Sequence, residues 1–287
     1  MCSRCYFEGE SKLKNILITG TGSYIGESFK EYLVQWPDRY NVSTIDTKGM
    51  VPIKSMFKDI DAIFCVAGIA HIKETKENRH LYFEVNRDLV VEIAKTAKEA
   101  GVKQFILLSS MSVYGKETGK ITKTTVPKPV TAYGQSKLEA DERVKALVDD
   151  SFIFTCLRPP MVYGKNCTGN YQVLRRFALK SPIFPDYRNQ RSMIYIGNLC
   201  EFVKVAIDEQ KSGLFFPQNE EYTKTSEMVR EINSTHRKKI RLTKIFNWAI
   251  KIVSLSVVKK VFGDLIYEKV DTVNKYGLKE SIKLTEI

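Results

Sequence analysis

Two side chains four residues apart, Tyr133 and Lys137 in the stretch Tyr133-Gly134-Gln135-Ser136-Lys137, are of types that can exchange a proton with a ligand. In a helix, residues at this spacing project from one face. A lysine ammonium beside a phenol favours the phenolate, so we expect Lys137 to lower the Tyr133 pKa from its ordinary value near ~10. Tyr133 would then serve as a general acid/base at neutral pH. The same spacing also occurs on solvated helix faces, so the interpretation depends on the elements upstream.

A glycine-rich loop follows the first apolar strand, which is predicted over Asn15–Thr19, and precedes a helix predicted over Glu27–Gln35. Glycines let the backbone approach a ligand, and a helix N-terminus attracts anions, so this arrangement predicts a cradle for a dinucleotide pyrophosphate. The loop residues expected at the cofactor are Gly20, Gly22, Ser23, Tyr24, Ile25 and Gly26. The alternative is an ordinary strand-to-helix turn.

Asp46 ends the second predicted strand, Tyr40–Ile45. A carboxylate at this point can accept hydrogen bonds from the adenosine ribose and repels a 2′-phosphate, which predicts NAD rather than NADP. Lys48 keeps NADP open as an alternative, because a nearby cation can accommodate that phosphate. The other interpretation of Asp46 is a turn aspartate.

Small or hydroxyl-bearing residues follow two later strands. Ala67 and Gly68 come after the strand predicted over Asp61–Val66, and small residues there allow a cofactor to lie against the backbone. Ser110 comes after the strand predicted over Gln104–Leu108. Since ligands of doubly wound sheets bind at the carboxyl ends of the strands, Ser110 can share a substrate oxygen with Tyr133. A hydroxyl-rich turn is the alternative for Ser110.

Strand and helix signals alternate from Asn15 to Leu157, which predicts an α/β fold with a doubly wound, Rossmann-like parallel sheet and a smaller C-terminal lobe. We expect residues 11–163, together with about 192–212, to form the NAD-binding domain and residues 164–287 to form the substrate-binding lobe. The remaining predicted elements are helices over Tyr82–Ala100, Tyr133–Val148 and Tyr171–Lys180, loops over Lys116–Val130 and Ser181–Gln190, and strands over Phe152–Leu157, Arg191–Ile196 and Leu214–Phe216.

The chain of 287 residues carries a net charge of +12, which fits an anionic substrate, a membrane surface or nucleic acid, or simply a solvated basic surface. No Lys/Arg block with interleaved aromatic residues resembles a nucleic-acid module, so we expect no nucleic-acid partner. The apolar, lysine-containing segment Ile245–Phe262 could be an interfacial membrane helix. The preferred interpretation is that it packs on its own domain.

Targeting and metal signals are weak. No apolar run is long enough to span a membrane and the N-terminus lacks a signal-peptide core, so a cytoplasmic protein without a transmembrane segment is expected. Cys2 and Cys5 have zinc-knuckle spacing but no second pair, and His71, His80 and His236 show no ligand spacing. We therefore expect free thiols and no metal.

Together these motifs resemble those of the extended short-chain dehydrogenases/reductases of the NAD-dependent epimerase/dehydratase group, from about Lys14 to the C-terminus. The resemblance implies NAD as cofactor, Tyr133 as the acid/base, Lys137 on the nicotinamide ribose and Ser110 on the sugar oxygen. It implies Arg191 on the substrate diphosphate, with Asn170 in the same pocket. Its further cofactor positions are Asp46, Ala67, Gly68 and Asn86.

The subgroup suggested by Arg158–Gly164 and the following Gly169-Asn170 is that of bacterial UDP-sugar 4-epimerases and UDP-4-keto-sugar reductases of surface polysaccharide synthesis. A UDP-hexose 4-epimerase is the leading hypothesis, an NAD(P)H-dependent 4-keto reductase the alternative, and a non-catalytic dinucleotide-binding protein the less favoured third. Met111 and Ser112 occupy positions where the 4,6-dehydratases of this family carry acidic residues, so the resemblance does not imply dehydratase chemistry. The resemblance also implies a homodimer formed through the Tyr82–Ala100 and Tyr133–Val148 helices.

Three departures from the family pattern are visible. Ser23 replaces the middle glycine of the usual loop, so either the backbone approaches the pyrophosphate less closely or the Ser23 hydroxyl contacts it instead. The segment between Asp46 and Asp61 is too short for the usual strand and helix, so the sequence does not predict which residues bind the adenine. Met161 replaces an asparagine often found near the diphosphate.

Overall fold

The structure is a computed structural model that describes residues 13–70, 74–245, 247–252 and 256–287. Cys2, Cys5 and His71 lie outside the described residues. The strands are β1 Lys14–Thr19, β2 Tyr40–Ile45, β3 Ala62–Cys65, β4 Gln104–Leu108, β5 Gly119–Ile121, β6 Ile153–Leu157, β7 Met161–Tyr163, β8 Ile183–Pro185, β9 Met193–Tyr195, β10 Gly213–Phe215, β11 Gln218–Asn219, β12 Arg241–Thr243, β13 Leu265–Tyr267 and β14 Thr272–Val273. The helices are α1 Tyr24–Leu33, α2 Arg79–Phe83, α3 Val90–Glu99, α4 Ala132–Lys145, α5 Asn170–Lys180, α6 Ile196–Asp208, α7 Thr225–Thr235, α8 Asn247–Ile252, α9 Ser256–Phe262 and α10 Leu278–Glu286.

Six of the described strands form one parallel sheet in the order β2-β1-β3-β4-β6-β10, which confirms the predicted doubly wound fold. Alternate residues face opposite sides, as the two-residue period of a strand requires. Ile16 and Ile18 of β1 lie in one hydrophobic core, and Leu17 lies in the other. Both faces are covered, so β1, β3 and β4 are almost continuously apolar.

The edge of the sheet at β2 is shorter than in a full doubly wound fold. Between β2 and β3, the described chain holds a single 3₁₀ helix, Lys54–Phe57, in place of a strand and helix. This agrees with the length of the segment between Asp46 and Asp61. Val51, which lies in this segment before the 3₁₀ helix, is 75% exposed, so the adenine side of the predicted cofactor site is open to solvent.

Several predicted bounds differ from the structure. Helix α1 begins three residues before Glu27, because Ser23 caps it with its side chain. The Tyr82–Ala100 helix is interrupted by a π-helical turn over Glu84–Leu89. The predicted loop Lys116–Val130 contains β5, which pairs with β13, and the predicted loop Ser181–Gln190 contains β8, which pairs with β12. These short strands have no alternating pattern of their own and depend on partners distant in sequence.

Candidate active site

The glycine-rich loop has the backbone that a pyrophosphate cradle needs. Gly20 has φ of +101°, and a Cβ there would lie 3.3 Å from the Ala67 backbone nitrogen. Ser23 does not leave its acceptor for a ligand, because its Oγ accepts from the Gly26 N–H at 3.2 Å as the cap of α1. The hydroxyl proton remains available. The loop therefore keeps the positive end of α1 accessible beside the end of β1.

Three other loop residues make contacts within the protein. The Gly22 N–H donates to the carboxylate of Glu27, a residue in the first turn of α1, at 3.0 Å. One backbone donor of the predicted pyrophosphate cradle is therefore already occupied by an acidic side chain. Ile25 packs against the hydrophobic core. Tyr24 turns its buried hydroxyl toward Gly164, and burial raises its pKa well above the ordinary value. A pyrophosphate that uses the Gly22 N–H must displace Glu27.

Asp46 lies immediately after β2 and is exposed. Its Oδ1 accepts from the Lys48 N–H at 3.0 Å, which is the geometry of a turn aspartate. The second carboxylate oxygen keeps its accepting capacity, so the turn and the ribose interpretations are compatible.

Asn86 organises the loop after β3. Its Oδ1 accepts from the Ile69 N–H at 2.7 Å, and its Nδ2 donates to the Ile69 carbonyl at 3.1 Å and to Ser136 Oγ at 3.3 Å. The side chain therefore ties the carboxyl end of β3 to α4. It stands in the π-helical turn, and such turns often occur at functional sites.

Gly68 is packed between Asn86 and Lys137. A Cβ at Gly68 would come within 2.9 Å of Asn86 Oδ1 and 3.0 Å of Lys137 Nζ, and its φ of +156° disfavours any side chain. Gly68→Ala is therefore expected to cost about 1–3 kcal/mol of stability through strain and to weaken NAD binding. Chemical denaturation and NAD titration measure the two effects.

Gly101→Ala is the matched control, because Gly101 has φ of +89° but open space around its Cβ position, far from the site. It should lose stability and keep NAD affinity. Equal NAD affinity in the two variants would contradict a role for the Gly68 contact.

Ser110 and Tyr133 lie together at the carboxyl end of β4. Ser110 caps the 3₁₀ helix Met111–Tyr114 and donates to Ser112 Oγ at 3.1 Å, and it is hydrogen-bonded with the Tyr133 phenol. Tyr133 stands on the first turn of α4, which Thr131 caps by accepting from the Gly134 N–H at 3.1 Å. The Tyr133 ring packs edge-on against Tyr82, with centroids 6.3 Å apart.

The pKa of Tyr133 is raised in the structure, whereas Lys137 was predicted to lower it. Burial raises the pKa of Tyr133, and the Asp141 carboxylate raises it further, whereas the hydrogen bond with Ser110 lowers it. Burial also lowers the pKa of Lys137, whose Nζ donates to the Leu108 carbonyl at 3.0 Å. The prediction considered only the charge of Lys137 and not the cost of burying both groups.

Beneath this pair lies a buried ionic network that the motifs did not reveal. Arg158 Nε donates to Asp141 Oδ2 at 2.9 Å, with both side chains under one tenth exposed. Ser109 donates to the same oxygen at 2.8 Å, and Arg158 Nη1 donates to the Tyr114 hydroxyl at 2.8 Å. Asp141 follows Lys137 by four residues on α4, which is the one signal in the sequence that could have located it.

The two predicted substrate residues lie beyond β7, in the C-terminal part of the chain. Arg191 is half-buried and donates from Nη1 to the Gly263 carbonyl at 2.9 Å, and burial lowers its pKa while the nearby Asp264 raises it. Asn170 is exposed at the first position of α5. Within the described part of the chain, no hydrogen bond or ion pair joins either residue to Ser110 or Tyr133.

Residues 16–216 match the NAD dependent epimerase/dehydratase family. The UDP-glucose 4-epimerase of Vibrio cholerae is 31% identical over 251 residues, which cover 78% of this chain and 76% of that protein. The N-acetyl-alpha-D-glucosaminyl-diphospho-ditrans,octacis-undecaprenol 4-epimerase of Escherichia coli O157:H7 is 23% identical over 250 residues, covering 79% of this chain and 73% of that protein.

Among solved structures, the UDP-glucuronic acid 4-epimerase of Bacillus cereus in complex with NAD superposes with a TM-score of 0.75. It covers 95% of each chain at 16% identity, which shows a shared fold.

Proposed function

Because the chain belongs to the NAD-dependent epimerase/dehydratase family, we propose that it is a nucleotide-sugar 4-epimerase, acting on a UDP-hexose by transient hydride transfer at C4. The observation that carries this proposal is the contact between Ser110 and Tyr133 at the carboxyl end of β4, with Lys137 beside Gly68. A phenol at the carboxyl end of β4, where doubly wound sheets bind their ligands, supports the proposal that Tyr133 exchanges the proton.

The chain's own residues fit NAD. The positive-φ Gly20, the accessible start of α1 and the close-packed Gly68 leave no side chain between backbone and cofactor. Asp46 is the proposed contact to the adenosine ribose, with Ala67 and Asn86 lining or supporting the nicotinamide end. NAD, when bound, supplies the hydride acceptor and donor, and the protein supplies position and proton transfer.

In the proposed reaction Tyr133 takes the proton of the sugar 4-hydroxyl and later returns it. Ser110 holds the same oxygen, and Lys137 positions the cofactor ribose beside Tyr133. Arg191 and Asn170 are proposed contacts to the substrate in the lobe. The division into a 164–287 substrate-binding lobe and an NAD-binding domain is part of the same proposal.

Two features of the substrate need to be tested: the sugar itself and the group, a nucleoside or a polyprenol, that is joined to it through the diphosphate. The V. cholerae relative acts on a UDP-sugar, whereas the E. coli relative acts on a diphospho-undecaprenol sugar. We propose the UDP-sugar as the primary substrate and surface polysaccharide synthesis as the setting. A homodimer through α3 and α4 is also proposed, and sedimentation velocity tests it.

The decisive experiment uses a panel of UDP-sugars with NAD present at less than one equivalent per substrate and no reductant. We expect many turnovers to the 4-epimer for at least one sugar, resolved by chromatography. If product forms only as NAD(P)H absorbance falls one-for-one, the 4-keto reductase alternative replaces the epimerase.

A further inference from the structure

The excess of positive over negative charge in this chain arises in two stretches that lack acidic residues. Residues 151–185 and 232–263 contain thirteen of the 45 Lys and Arg residues and none of the 33 Asp and Glu residues. The rest of the chain, with 32 basic and 33 acidic residues, is nearly neutral. The net charge of +12 is therefore a local feature and not a general property of the surface.

These two stretches meet in the fold. β8 pairs with β12, with Ile183 opposite Arg241, and Lys238 Nζ donates to the Leu179 carbonyl at 3.2 Å. Asn247 at the start of α8 donates to the Asp186 carbonyl at 3.0 Å, just after β8. One side of the lobe thus brings the end of the first acid-free stretch next to the second stretch.

Large apolar side chains are exposed on the same side of the lobe. Ile245 is 71% exposed and Trp248 is 68% exposed, so the preferred expectation that this segment packs on its own domain is wrong for its beginning. Phe177, 52% exposed, packs edge-on against Phe184 of β8 with centroids 5.7 Å apart. Val173 and Ile183 are exposed beside it.

The end of the Ile245–Phe262 segment packs on the rest of the chain and holds α9 next to β8. The Phe262 ring packs against Phe184 at 5.6 Å, and the Val261 carbonyl accepts from Thr225 Oγ1 at 2.7 Å. The exposed basic side chains on these elements include Arg176, Lys180, Lys238, Lys239, Arg241, Lys244, Lys259 and Lys260. None of them forms an ion pair within the residues that the structure describes.

From these features we infer that this side of the lobe, defined by Val173, Phe177, Ile183, Ile245, Trp248 and the eight exposed basic residues, docks on an anionic phospholipid bilayer. Exposed tryptophan and aliphatic side chains among lysines match the interfacial region, where apolar groups enter the acyl boundary and cations meet lipid phosphates. A second copy of the chain would bring like charges together, and nucleic acid would not use Ile245. No described helix is both long and apolar enough to cross a membrane, and the docking is peripheral.

The docking surface borders the proposed substrate site. Gly263, which ends the second acid-free stretch, accepts from Arg191, the proposed diphosphate contact. A docked lobe therefore holds its diphosphate-binding side near the lipid phosphates. Docking through this surface is expected whether the sugar carrier is a nucleotide or a polyprenol.

The test uses vesicles of phosphatidylcholine with and without phosphatidylglycerol. The chain has two tryptophans, so Trp36→Phe leaves Trp248 as the only reporter. We expect co-sedimentation with the anionic vesicles alone, a blue shift of Trp248 emission, and weaker binding as salt increases. Trp248→Ser and the pair Lys238→Glu/Lys239→Glu should each weaken binding by about tenfold or more.

Matched controls change equally exposed groups elsewhere. Val34→Ser removes an apolar side chain, 71% exposed, at the end of α1 away from the glycine-rich loop, and Lys30→Glu/Lys103→Glu reverses two exposed charges on α1 and just before β4. These variants should bind vesicles like the wild type, and all variants should keep turnover on a soluble UDP-sugar. Absence of lipid-dependent binding, equal losses in the controls, or a Trp248 response only to DNA or to self-association would each overturn the inference.

Discussion

Replacing Tyr133 with phenylalanine is expected to lower turnover by about 10²–10⁴-fold, the usual contribution of a general acid/base. The ring and its edge-on contact with Tyr82 remain, so fold and NAD affinity should change little. What is lost is the phenol that is hydrogen-bonded with Ser110. Steady-state kinetics with the preferred sugar, together with NAD titration, measure both quantities.

The pH dependence gives this prediction a second readout. Because burial raises the Tyr133 pKa, the phenol is protonated at neutral pH, and wild-type turnover should rise with pH until that pKa is reached. The residual activity of Tyr133→Phe should lack this rise. Tyr40→Phe, which removes a hydroxyl bonded to Asp208 far from the site, is the matched control and should keep wild-type kinetics. Near-normal turnover in Tyr133→Phe would remove Tyr133 from the reaction.

Arg158→Met is expected to destabilise the fold by about 3–5 kcal/mol, because it leaves the buried Asp141 carboxylate without its cation. The pKa of Asp141 is already raised by burial and would rise further in this variant. The folded state would then hold a proton that the unfolded state releases, so the deficit should grow as pH increases from about 4 and shrink in acid. Urea unfolding at several pH values measures it.

Two further variants control this result. Lys54→Met breaks the exposed Lys54–Glu99 pair and should cost about 0–1 kcal/mol. Combining Arg158→Met with Asp141→Leu should recover part of the loss, because no charge is then buried alone. A loss in Arg158→Met no larger than in Lys54→Met would show that the buried pair does not stabilise the fold.

The motifs predicted the parallel sheet correctly, for a physical reason. Apolar strands, the glycine-rich loop and the Tyr133–Lys137 spacing are local signals, and the parallel topology brings their ends to one edge. Ser110 and Tyr133 accordingly meet, although 23 positions separate them.

Features that depend on the environment were not predictable from local spacing. The direction of the Tyr133 pKa is set mainly by burial, and the pairing of Asp141 with Arg158 joins two strand-and-helix units. The cap that Ser23 forms on α1 was also not predicted, and it leaves only the hydroxyl proton of Ser23 for a pyrophosphate. The exposure of Trp248 required the fold, whereas the uneven distribution of charge was already present in the sequence.

The most direct test of the central claim follows the hydrogen at C4. The preferred UDP-sugar is prepared with deuterium at C4 and incubated with the enzyme and sub-stoichiometric NAD, and the product is analysed by NMR and mass spectrometry. If hydride leaves and returns within one bound complex, the 4-epimer carries the deuterium at C4 and free NAD stays unlabelled. Product that has lost the deuterium to water or to the free cofactor pool would contradict 4-epimerisation by transient hydride transfer.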